Sequence, residues 1–133
     1  MFLNGGGIEM RYEDLCSILG ERFPQLLPHI SQYFDTYGCD FSEPYMLYNE
    51  VLNPYVKKLL QEKTDSEALR EVFEFYEELA QSNDEEVRNL LQVELLEVLW
   101  AGKALFTKAC SRMLPETKKI NENIREYISY PVE

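Results

Sequence analysis

The 133 residues, 45% hydrophobic and 28% charged, have the composition of one globular domain, and a chain of this length buries roughly two thirds of its unfolded surface without metal or disulfide. Twenty-four acidic against thirteen basic residues leave a net charge of −11, which disfavours nucleic acid and anionic membrane as partners and favours a basic one. No apolar run approaches the ~20 residues that span a bilayer, and Met1-Phe2-Leu3-Asn4 lacks the basic start and apolar core of a signal peptide, so the expected location is the cytoplasm.

In chain order, the glycines of Asn4-Gly5-Gly6-Gly7 make residues 1–9 a flexible amino terminus, ahead of a single helical domain over 10–130. Met10 is an alternative start of translation, because a glycine run just before a methionine is what a translated ribosome-binding site would look like. Tyr12, Leu15, Cys16, Ile18 and Leu19 fall at helical spacing, with Gly20 as a stop. Phe23-Pro24 starts a second helix that Pro28 should shorten or kink and Gly38 should close. Pro44 begins a short helix over Tyr45 to Leu52, and Asn53-Pro54 reads as the cap and first residue of another. Asp65 or Ser66 caps a helix with the stripe Leu69, Val72, Phe73, Tyr76, Leu79 and Ala80. Asp84-Glu85-Glu86 opens the next, whose expected buried face is Val87, Leu90, Leu91, Leu95, Val98 and Leu99; Gly102 ends or bends it. A further helix carries Leu105 and Met113, and Pro115 starts the last, through Ile120, Ile124, Tyr127 and Ile128. Without sustained period-two alternation, the fold class is all-α: six to eight antiparallel helices with no sheet, as a helical bundle or a short HEAT-like α-solenoid.

Residues for catalysis are sparse. His29 is the one histidine, in an apolar segment where a partly buried structural role is expected. Cys16, Cys39 and Cys110 are an odd set at wide spacing, read as buried thiols rather than a disulfide framework or metal knuckles. Glu71, Glu74 and Glu78 share one helix face, and Glu94 and Glu97 another, but no Glu-x-x-His motif accompanies them. These charges read as a solvated face, with no metal, no cofactor and no enzymatic activity expected.

Residues 62–100 hold twelve acidic against three basic residues, net −9, so one stretch carries most of the field. Ahead of it, residues 33–45 alternate aromatic and acidic side chains. Tyrosine supplies contact area at low entropy cost and carboxylates meet arginine or lysine, which makes Asp35, Tyr37, Asp40, Glu43, Tyr45 and Tyr48 the candidate partner-binding residues. Glu71, Glu74 and Glu78 are the alternative surface.

Asn83-Asp84-Glu85-Glu86-Val87-Arg88, followed by Leu91, Leu95, Leu96 and Leu99, resembles the second helix of a HEAT repeat. Together with Glu21-Arg22-Phe23-Pro24 and Glu50-Val51-Leu52-Asn53-Pro54-Tyr55-Val56, it resembles a group of small acidic helical bacterial proteins. Some of these look like immunity proteins encoded beside secreted polymorphic or contact-dependent toxins. The resemblance implies an intracellular inhibitor that binds one toxin domain and blocks its active site. For a basic nuclease its carboxylates would occupy sites reserved for phosphates. The alternatives are a HEAT-like adaptor with no inhibitory role and an enzyme using glutamate-held metal.

Overall fold

The computed structural model describes residues 3–4, 7–38, 44–62 and 66–125, and these form seven helical segments. In α1 (12–22) the 3-10 turn Tyr12–Asp14 leads into Leu15–Arg22, and in α2 (24–37) Pro24–Leu26 leads likewise into Leu27–Tyr37. In α3 (44–61) the π turn Tyr48–Leu52 joins Pro44–Leu47 to Asn53–Gln61. α4 is Glu67–Ala80. α5 (85–101) runs from Glu85–Leu90 through a second π turn, Leu91–Leu96, into the 3-10 stretch Glu97–Ala101. α6 is Lys103–Arg112 and α7 is Pro115–Arg125. The chain is all-α, as its periodicity predicts. Extended structure among the described residues is the antiparallel pair β1 (Leu3–Asn4) and β2 (Gly7–Ile8), with Leu3 opposite Ile8, where a flexible start and no sheet are expected.

Local chemistry explains most boundaries. Pro24, Pro44 and Pro115 stand first in their segments, where an absent N–H breaks no helical bond. Ser66 Oγ accepts the N–H of Leu69 at 3.1 Å and Asp84 Oδ1 that of Glu86 at 3.0 Å, each capping a helix. Gly38 ends α2 at φ +94°, a conformation that penalises any side chain. Asp65, Tyr127 and Ile128 lie outside the described residues.

Four expectations fail locally. α1 continues through Gly20 to Arg22; a Cβ there would lie 3.0 Å from Leu27 Cδ2, so the glycine lets α2 approach instead of stopping α1. Pro28 neither shortens nor kinks α2, because the 3-10 turn before it places it in the first α-helical turn. Asn53 caps nothing, and α3 runs through it. The N–H of Asn53 bonds the carbonyl of Tyr48, five residues back, so Pro54 follows directly on a turn already wider than α-helical. Val98 is 43% exposed, while Leu96 and Trp100 are buried in its place.

One core runs from Leu15 to Ile124. The expected stripe of α4 is buried, and Phe75 with it, because α3, α5 and α7 all pack on that helix. α7 is further held by Glu77, whose carboxylate accepts the N–H groups of Glu116 and Thr117 and the Thr117 hydroxyl, each at 2.9 Å. It thereby serves as an anionic cap contributed by a distant helix.

Candidate functional site

The two π turns face each other. Near the start of both helices Asn89 Nδ2 donates to Tyr45 Oη at 2.8 Å, and further along both Asn53 Nδ2 donates to the Glu94 carbonyl at 2.9 Å. The matching order means that α3 and α5 run the same way, as next-but-one members of an antiparallel succession do. α5 changes ladder spacing here, from the five-residue bond Glu97 N–H to Gln92 carbonyl to the 3-10 stretch that follows. Such a change leaves carbonyls without a helical donor, and Asn53 supplies one.

This geometry exposes an aromatic among acids. Burial is the main cause that raises the Tyr45 hydroxyl pKa; the Asn89 hydrogen bond opposes it, and the charges of Glu86 and Glu94 add to it. Glu94 is itself raised, first by burial and then by Glu97. Neither Glu86 nor Glu94 pairs with a cation among the described residues. Exposed Met46, beside Tyr45, and exposed Val93, one turn past Asn89, give the acids an apolar centre.

The predicted contact residues separate. Asp35 and Tyr37 are exposed at the end of α2, and Tyr45 lies half-buried between α3 and α5. Asp40 and Glu43 lie outside the described residues. Tyr48 is fully buried, its hydroxyl donating to the Leu15 carbonyl at 2.7 Å and its ring stacked near Phe75. It is a core residue, inaccessible to a partner. In the alternative set Glu74 pairs with Arg70 at 2.5 Å, Glu78 grips the Arg22 guanidinium, and Glu71 is exposed. Two of those three acids are thus answered within the chain. The sequence places Glu86 at a helix start and Glu94 on a solvated face with Glu97; their approach to Tyr45 depends on the packing of α3 against α5, which spacing along one helix does not record.

His29 is exposed on α2, contrary to the partly buried position expected. Cys16 is buried and Cys110 half-buried, neither in a disulfide among the described residues, and Cys39 lies outside the described residues. Among the described residues no group of three or more His, Cys, Asp or Glu side chains is placed to hold a metal ion, and no helix is long and apolar enough to cross a membrane.

No curated protein and no solved structure matches the chain. A family model described as a domain of unknown function, DUF7674, matches residues 16–129, from the first turn of α1 to beyond the described end of α7. That span holds both π-turned helices and the Tyr45 surface, and the chain belongs to this family, DUF7674.

Proposed function

We propose that the chain is a cytoplasmic protein-binding domain of the immunity type, which holds and neutralises a basic toxin domain, and that Tyr45, Glu86 and Glu94 centre its contact surface. The observation that supports this reading is the placement of two carboxylates against an aromatic with no cation of the chain's own to answer them. The burial of Glu94 and its repulsion by Glu97 are unfavourable in the free protein. An arginine or lysine from a partner relieves both, while Tyr45, Met46 and Val93 supply the apolar contact that sets the off-rate.

The test is co-expression with the product of the adjacent gene, followed by co-purification and an assay of that product's toxicity. Capture with loss of toxicity supports the immunity reading. Capture with toxicity intact leaves an adaptor, the second reading, which the same surface serves. No capture in either gene order removes the neighbouring toxin as the partner.

A further inference from the structure

Further along the same two helices lies a cleft of about 480 Å³, within the ~300–1,000 Å³ usual for small-ligand sites. Its walls are mainly apolar, Pro54 and Val56 from α3, Val98 and Leu99 from α5 and Leu105 from α6. Its polar lining residues are Asn49, Asn53 and Lys57, with no carboxylate among them. Lys57 is the charged residue among those lining it, and it makes no ion pair or hydrogen bond among the described residues. Asn49, at the other end, uses its Oδ1 to accept from Asn53 Nδ2 at 3.1 Å, which leaves its own amide N–H groups to donate. Asn49 and Lys57 are eight residues apart, roughly 12 Å along a helix. In a chain of net charge −11 a cleft with a free ammonium and no carboxylate among its lining residues is a local reversal of sign.

We infer that this cleft binds a small amphipathic anion, an apolar carboxylic acid whose chain lies between Pro54, Val98 and Leu105 and whose carboxylate meets Lys57. This site is separate from the Tyr45 surface, and its test is independent of any protein partner. The charge complementarity selects an anion, and the apolar walls select against small hydrophilic ones.

The probe is octanoate, titrated into the full-length isotopically labelled protein with octanol as its uncharged counterpart. Amide signals of Asn49, Asn53, Val98 and Gly102 should shift together and saturate with octanoate. Octanol should bind about tenfold more weakly, and Lys57→Met should cost octanoate about tenfold while leaving octanol unchanged. Lys57 is exposed, so the substitution leaves the core untouched; Lys57→Arg should retain octanoate binding. Shifts that fail to saturate, that saturate elsewhere on the molecule, or that are equal for octanoate and octanol in both proteins would overturn the assignment.

Discussion

Asn53 Nδ2 donates to the carbonyl of Glu94 at 2.9 Å, tying α3 to α5 where both depart from α-helical spacing. The same amide also reaches Asn49 Oδ1, so one side chain sets the register of the helices that carry the Tyr45 surface and the cleft. Asn53→Ala should cost about 1 kcal/mol of stability, the usual worth of such a bond, in denaturant unfolding. Exchange of amide protons in residues 93–99 should quicken more than in α4, with which the Asn53 side chain shares no hydrogen bond among the described residues.

Glu77 is expected to be worth more than any exposed acid. Its carboxylate receives three donors from the start of α7, so Glu77→Ala should destabilise the protein by about 2–3 kcal/mol, and Glu77→Gln by less because one acceptor oxygen remains. Glu71→Gln, on the same helix and exposed, should leave the melting temperature within experimental error.

Two buried tyrosines should respond oppositely to loss of the hydroxyl. Tyr48→Phe removes the buried hydrogen bond to the Leu15 carbonyl and should cost about 1 kcal/mol. Tyr76 is fully buried with no partner for its hydroxyl among the described residues, so Tyr76→Phe should be neutral or stabilising in the same unfolding assay.

Glu94 gives the pH dependence. Its carboxyl pKa is raised in the folded chain by burial and then by Glu97, so the folded state binds a proton more readily than the unfolded state. The charged form is therefore a cost that is present above the raised folded pKa and disappears as pH falls to the unfolded value. Glu94→Gln should stabilise the free protein at neutral pH, and its advantage over the wild type should shrink as pH falls through the carboxylate range. The same substitution should weaken partner binding, which separates a functional carboxylate from a structural one.

The sequence carried much of the fold and less of the site. Apolar steps of three and four marked α4, and Ser66, Asp84 and three prolines marked helix starts by capping chemistry that acts locally. The π turns are invisible to a hydrophobic periodicity of 3.6 residues. The pairs Leu90-Leu91 and Leu95-Leu96 are five apart, and that step was the available signal; it moves burial from Val98 to Leu96 and Trp100. Asn53-Pro54 looked like a helix start because a proline interrupts an α-helical ladder, whereas a wider turn before it accommodates the lost donor. Composition alone puts Tyr48 with the other loop aromatics at the surface, whereas its packing against Leu15 and Phe75 comes from tertiary contacts. The ion pairs that consume Glu74 and Glu78 join residues distant in sequence or compete along one helix, and composition records neither.

The most direct measurement of the central claim is the salt dependence of association and dissociation for the co-purified partner, with Glu86→Gln/Glu94→Gln, Tyr45→Ala and Glu71→Gln/Glu74→Gln compared against the wild type. Steering by Glu86 and Glu94 predicts an on-rate that falls steeply as salt rises and that drops in their double variant. Tyr45→Ala should raise the off-rate by the equivalent of about 2 kcal/mol, and the α4 pair should change neither rate. An on-rate indifferent to salt and to Glu86 and Glu94, or a loss of binding confined to the α4 variant, would contradict the account.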